Sequence, residues 1–67
     1  MTVVNGAERE LAEGTTVGAL VVELGLPAGG RGVAVAVGGE VVPRAEWPSR
    51  ELRADDRVEV LTAMQGG

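Results

Sequence analysis

Cysteine, histidine and lysine are absent from this sequence of 67 residues, and Trp47 is its only aromatic residue. Without cysteine the chain forms no disulfide, and without histidine it lacks the usual general base at neutral pH and the usual zinc ligand. A chain of this length buries only about 60% of the surface that its unfolded form exposes, so a core of valine, leucine and alanine must stabilise it. We therefore expect a single domain over residues 1–67, with no catalytic residue and no metal site.

Basic residues are also scarce, because six arginines stand against ten acidic residues and the formal net charge is −4. This balance disfavours nucleic acid as a partner, since nucleic-acid binding depends on basic patches. The longest apolar run, Val33 to Val37, is much shorter than the roughly 20 residues that a membrane helix needs. The first residues lack the charged start and the long apolar stretch of a secretory signal. We expect a soluble, cytoplasmic protein that binds neither membrane nor nucleic acid.

The first part of the sequence predicts a β-hairpin. Thr2–Val4 forms the first expected strand, and Asn5-Gly6 is the dipeptide most typical of a two-residue hairpin turn. Ala7–Leu11 would be the return strand, and its charges suit the edge of a sheet.

The next segment predicts a helix. Thr15 or Thr16 is a suitable N-cap, and apolar residues at i, i+3, i+4 and i+7 indicate one helical face over Val17–Leu24. Gly25 suits the position after the helix. Because Gly18 and three valines make this helix intrinsically poor, we expect it to form only when it packs on a sheet.

The second half predicts further strands. Val33–Val37 alternates large and small residues, as in a central strand with a helix on one face. Gly38-Gly39 permits a tight turn into a return strand that starts at Glu40. Trp47 is expected to cap the core, and a short strand is expected near Glu51–Arg53.

The last strand, Arg57–Thr62, is as apolar as the first, and we place both in the interior of the sheet. One helix on one face of a mixed sheet of four or five strands is an α+β, two-layer arrangement. With a hairpin at Asn5-Gly6, this arrangement is the β-grasp, or ubiquitin-like, fold.

Acidic residues provide only weak signs of chemistry. Glu8, Glu10 and Glu13 form a cluster, but an edge strand and loop more often present such residues as a solvated face. Asp55-Asp56 could bind a cation, although a turn explains the pair as well or better.

The end of the chain offers a clearer reactive group, the carboxyl group of Gly67. A pair of glycines predicts a flexible tail with no Cβ atom to clash in a narrow channel. Four extended residues span on the order of 13 Å, which is enough to enter another protein's active site. A free carboxylate is a poor electrophile because it is ionised at neutral pH, and adenylation with ATP is the usual activation. The residues expected to thread into partners are Met64, Gln65 and Gly66.

Two segments, residues 33–47 and 56–67, resemble the ThiS family of β-grasp proteins, the sulfur carriers of thiamine thiazole biosynthesis. The resemblance covers nearly all of the chain. Three positions depart from the usual pattern: Gly38-Gly39 stands where Asn-Gly is common, Asp55-Asp56 where Gly-Asp is common, and Met64 where valine is common. Each exchange keeps the turn or apolar character, so the expected fold is unchanged.

The resemblance implies a sulfur-transfer cycle. An E1-like adenylyltransferase would consume ATP to adenylate Gly67, while the carrier itself binds no cofactor. A persulfide donor, supplied by a cysteine desulfurase relay, would convert the adenylate to a thiocarboxylate, and thiazole synthase would accept the sulfur. Partners of the family hold the tail and the adjoining sheet surface, which implies that Leu61 and Ala63 contact them here.

Other functions fit a β-grasp domain that ends in two glycines. The carrier could serve molybdopterin synthase as its small subunit, or cysteine synthesis, or RNA thiolation. A ubiquitin-like modifier of target lysines is a second class, and an interaction module without covalent chemistry is a third.

Overall fold

A computed structural model describes residues 1–27 and 29–63 of the chain. Within these residues a five-stranded sheet is accompanied by one α-helix and one short 3₁₀ helix. In chain order the elements are β1 (Thr2–Val4), β2 (Ala7–Arg9), α1 (Val17–Glu23), β3 (Val33–Val37), β4 (Glu40–Val41), the 3₁₀ helix (Arg44–Glu46) and β5 (Arg57–Thr62).

The strands lie in the order β2-β1-β5-β3-β4. Strand β1 is parallel to β5, whereas the other three neighbouring pairs are antiparallel. The first and last strands are therefore both in the interior of the sheet, and the helix packs on one face. The predicted mixed sheet and β-grasp arrangement are confirmed.

Two hairpin turns share one backbone conformation. Asn5 and Gly6 have φ angles of 52° and 83°, and Gly38 and Gly39 have φ angles of 60° and 85°. Two successive positive φ angles are the requirement of a type I′ turn, whose twist matches that of the strands it joins. Both predicted turns are confirmed, although β2 ends at Arg9 and is shorter than expected.

The helix begins and ends close to the predicted residues. Thr16 is the N-cap, and its hydroxyl accepts a hydrogen bond of 3.1 Å from the Ala19 N–H. The helix ends at Glu23, after which the Gly25 N–H donates to the Val22 carbonyl at 2.9 Å. Bonds of this kind satisfy backbone groups that the helix leaves free at its ends.

The core lies between the helix and the sheet. Trp47 is buried, and its Nε1–H donates to the Val42 carbonyl at 2.9 Å, which confirms its predicted packing role. This bond satisfies the one polar group of the indole, so the ring can fill the core without an unpaired donor. The buried apolar residues are Val4, Val17, Leu20, Val21, Val35, Val37, Val42, Trp47, Leu52, Val58 and Val60.

The prediction of a short strand near Glu51–Arg53 is wrong. Glu51 makes only an isolated bridge with Thr16, and the Leu52 N–H donates to the Thr15 carbonyl at 2.8 Å. The Val17 N–H still donates to the Arg50 carbonyl at 2.9 Å, but the chain enters the helix at Val17 and its later peptide groups point along the helix axis. A β-ladder therefore cannot extend beyond this bridge.

Candidate functional site

Strand β5 has one buried face and one exposed face. Val58 and Val60 point to the helix and are 0% and 7% exposed, whereas Leu61 is 67% exposed. Successive side chains of a strand point to opposite faces, so Glu59, Leu61 and Ala63 share the face that carries no helix. Both predicted contact residues of the sheet, Leu61 and Ala63, are exposed at the end of β5.

An apolar area on the outer face adjoins Leu61. The strand register places Leu61 opposite Ala34, and Ala36 opposite Val41. Val41 is 73% exposed, so the two large side chains project on either side of the small alanines. We call Ala34, Ala36, Val41 and Leu61 the outer patch. Scattered exposed hydrophobic residues are ordinary, but a contiguous set is typical of a protein-binding surface.

The family resemblance named Leu61, and the sequence analysis missed the other members of the outer patch. The signal was present in the alternation of Val33–Val37, where the valines face the helix and the two alanines face outward. Val41 gave no such signal, because its position on the outer face depends on the β3–β4 register.

Charged side chains border the outer patch. Arg57 and Glu59 lie on the same face of β5 and are exposed. Arg44 borders a shallow recess at the end of β5, together with Leu61 and Ala63. Its positive charge is therefore next to the last described residue of the chain, where it suits an acidic group on a partner.

Ala63 is held against the sheet. Its N–H donates to the Gly32 carbonyl at 2.7 Å. Gly32 directly precedes β3, so the hydrogen bonding between this part of the chain and β5 extends to Ala63. The predicted carrier residue and tail lie outside the described residues: Met64, Gln65, Gly66 and Gly67.

The acidic groups noted in the sequence are not assembled into a metal site within residues 1–27 and 29–63. Asp56 has a structural role, because its Oδ2 accepts a hydrogen bond of 2.8 Å from the Arg53 N–H. The turn interpretation of this segment is confirmed. None of the helices in the described ranges has the length and apolar character to cross a membrane.

The sheet order and the packed helix define a ubiquitin-like β-grasp protein. Its outer patch is a surface suited to contact with other proteins. The model of the ThiS family matches residues 2–67, and the chain belongs to this family. The chain is 42% identical, over 67 residues and the full length of both proteins, to the sulfur carrier protein ThiS of Thermus thermophilus. The family resemblance inferred from the sequence is confirmed.

Two solved structures from Geobacter metallireducens share the fold. The crystal structure of its thiamine biosynthesis protein ThiS is 32% identical, with a TM-score of 0.79 over 98% of this chain and 97% of that chain. The solution structure of a thiamine biosynthesis protein from this organism is 31% identical, with a TM-score of 0.80 over 98% and 86%.

Proposed function

We propose that this chain is a sulfur carrier in thiamine biosynthesis and that the carboxyl group of Gly67 carries the sulfur. The supporting observation is the match, along the whole length of both chains, to the sulfur carrier protein of Thermus thermophilus. The composition agrees with this site, because a chain without cysteine has no thiol side chain on which to hold sulfur.

The chemistry begins with activation of the carboxylate by an E1-like adenylyltransferase. A carboxylate oxygen of Gly67 attacks the α-phosphorus of ATP, and pyrophosphate leaves. The resulting mixed anhydride is an electrophile at its carbonyl carbon, so a persulfide sulfur can attack there and expel AMP. A second thiol then reduces the acyl disulfide, which leaves a thiocarboxylate whose sulfur passes to thiazole synthase. ATP is bound and consumed by the partner enzyme, and the carrier binds no cofactor.

The domain supplies the surface that brings this end of the chain to its partners. Burial of apolar surface contributes roughly 25 cal/mol per Å², so the outer patch provides binding energy close to the end of β5. Among the sheet residues expected to contact partners, Leu61 and Ala63 are the nearest to Gly67 along the chain. Arg44 adds a charge that orients an acidic partner surface.

Mass spectrometry of the intact protein tests this proposal. After incubation with the E1-like adenylyltransferase, ATP and a persulfide donor, we expect a species heavier by one sulfur-for-oxygen exchange at Gly67. Addition of thiazole synthase together with its other substrates, which accept the sulfur, should return the carboxylate form as thiazole is made. Sulfur delivery only to molybdopterin synthase, cysteine synthesis or RNA thiolation would place the carrier in that pathway instead. A stable amide to a target lysine would identify a ubiquitin-like modifier.

The variant Gly67→Val tests whether the end of the tail must be free of a side chain. A valine side chain should block entry of the tail into a narrow channel and abolish adenylation, while urea denaturation of the folded domain stays unchanged. Adenylation of this variant at the normal rate would contradict the proposal that the tail enters a channel too narrow for a side chain.

A further inference from the structure

The side chain of Asn5 bonds to strand β5 as an extra peptide group would. Its Oδ1 accepts a hydrogen bond of 2.8 Å from the Val60 N–H, and its Nδ2–H donates to the Val60 carbonyl at 3.2 Å. The Asn5 backbone N–H also donates to the Val58 carbonyl at 2.8 Å. One residue therefore satisfies three backbone groups of β5.

The topology explains why β5 needs this side chain. Strand β1 ends at Val4, which is paired with Val58, and the chain then turns away into the hairpin. Strand β5 continues beyond Val58 to Thr62. On the opposite edge of β5, pairing with β3 and Gly32 continues as far as Ala63. Asn5 supplies both partners for the Val60 peptide groups where the β1 backbone no longer can.

The hairpin turn alone does not require the Asn5 amide. Gly38-Gly39 forms the same type of turn in this chain, with both φ angles positive and no side chain. A glycine at residue 5 would keep the turn and lose only the bonds to Val60. The amide is therefore available for a role beyond the local backbone.

We propose that Asn5 is a positioning residue that clamps the last part of β5 and so sets the position of Ala63, from which residues 64–67 continue. This inference rests on the proposed function, because a carrier must present its outer patch and its last residues to a partner together. Leu61 follows Val60 directly, so a loosened β5 would move the patch relative to the end of the chain. A partner would then meet the competent arrangement less often, which weakens apparent binding without changing the bound chemistry.

Asn5→Gly tests the clamp, with Thr2→Val as the matched control. Thr2 lies at the other end of β1, and its Oγ1–H donates to the Arg53 carbonyl at 2.8 Å. We expect exchange of the Val60 amide proton to be about five- to tenfold faster in Asn5→Gly, as loss of a net hydrogen bond predicts. In the adenylation assay, KM for the carrier should rise about two- to fivefold with kcat unchanged. Thr2→Val should leave Val60 exchange and KM at their wild-type values.

Asn5→Asp provides a second variant if Asn5→Gly does not fold, because aspartate suits the turn but cannot donate to the Val60 carbonyl. The carboxylate of Asn5→Asp still accepts from the Val60 N–H, so KM is the readout for that variant, and a wild-type KM there would overturn the positioning role. For Asn5→Gly, Val60 exchange at the wild-type rate would overturn the clamp. Faster exchange with unchanged KM would overturn the positioning role. A wild-type chain that is never adenylated would contradict the proposed function alone, since the exchange comparison would still decide whether Asn5 clamps β5.

Discussion

The two faces of the sheet differ in what they bury and in what they expose. The inner face packs Val58, Val60 and Val35 against the helix, and each of them is buried. The outer face presents Leu61 and Val41, which are 67% and 73% exposed. Because β5 contributes to both faces, one strand couples the stability of the domain to the surface that we propose for partners.

Apolar residues of the same type therefore have two separate roles in this small domain. On the inner face, burial of apolar area stabilises the fold. On the outer face, the same area remains in contact with water until a partner covers it. Substitutions on the two faces should therefore change different measurements.

The largest expected effect is on the inner side. Leu20 is 0% exposed, so Leu20→Ala should lower the free energy of unfolding by about 2–5 kcal/mol through lost burial and a cavity. Urea denaturation followed by fluorescence of the buried Trp47 measures this loss. Val22 lies on the same helix but is 55% exposed, and Val22→Ala should change stability by less than about 0.5 kcal/mol. Equal losses in the two variants would contradict the packing described for the helix.

Gly30 should have a smaller but clear effect, because it lies against the core indole. A Cβ atom at Gly30 would be 2.5 Å from Cζ3 of Trp47, and φ at this residue is 74°. We expect Gly30→Ala to cost about 1–3 kcal/mol of stability through overpacking and backbone strain. Gly29→Ala is the control, since nothing lies within 4 Å of a Cβ there. A stable Gly30→Ala variant with unchanged Trp47 fluorescence would show that the indole does not occupy this position.

The outer face should show the smallest effect on stability and a selective effect on binding. Leu61→Arg should change the free energy of unfolding by less than about 0.5 kcal/mol, because the side chain is exposed. Binding to the E1-like adenylyltransferase, measured by calorimetry, should weaken about tenfold or more, because we propose Leu61 as a central contact of the outer patch. Val22→Arg places the same charge on the helix, away from the outer patch, and should bind normally. Equal binding by the wild type, Leu61→Arg and Val22→Arg would show that the outer patch is not part of the interface.

The hairpin turns and the strand alternation were predictable from the sequence because they depend on neighbouring residues. Asn5-Gly6 and Gly38-Gly39 select a turn through their own φ preferences. The helix was predictable for a similar reason, since its N-cap Thr16 and its apolar spacing are local. The segment near Glu51 was not predictable, because its bridging partner Thr16 is distant in the sequence and only the folded structure brings the two together.

The candidate site divides in the same way. Its chemistry was inferred from the Gly66-Gly67 pair and the family resemblance, and this remains a prediction. Leu61 was named from the family resemblance, and its place on the exposed face of β5 required the structure. The contribution of Val41 to the outer patch required the register between β3 and β4, which no local pattern specifies.

The turns, the helix start and the alternation of buried and exposed residues follow from local sequence, since each of these depends on a few adjacent side chains and their backbone preferences. In contrast, long-range contacts set which residues share the outer patch and how Asn5 bonds to Val60, which is 55 residues away. The reason is that sheet registers and side-chain bonds between distant segments depend on the simultaneous packing of the helix and five strands. These contacts form only when the core brings β1 and β5 together.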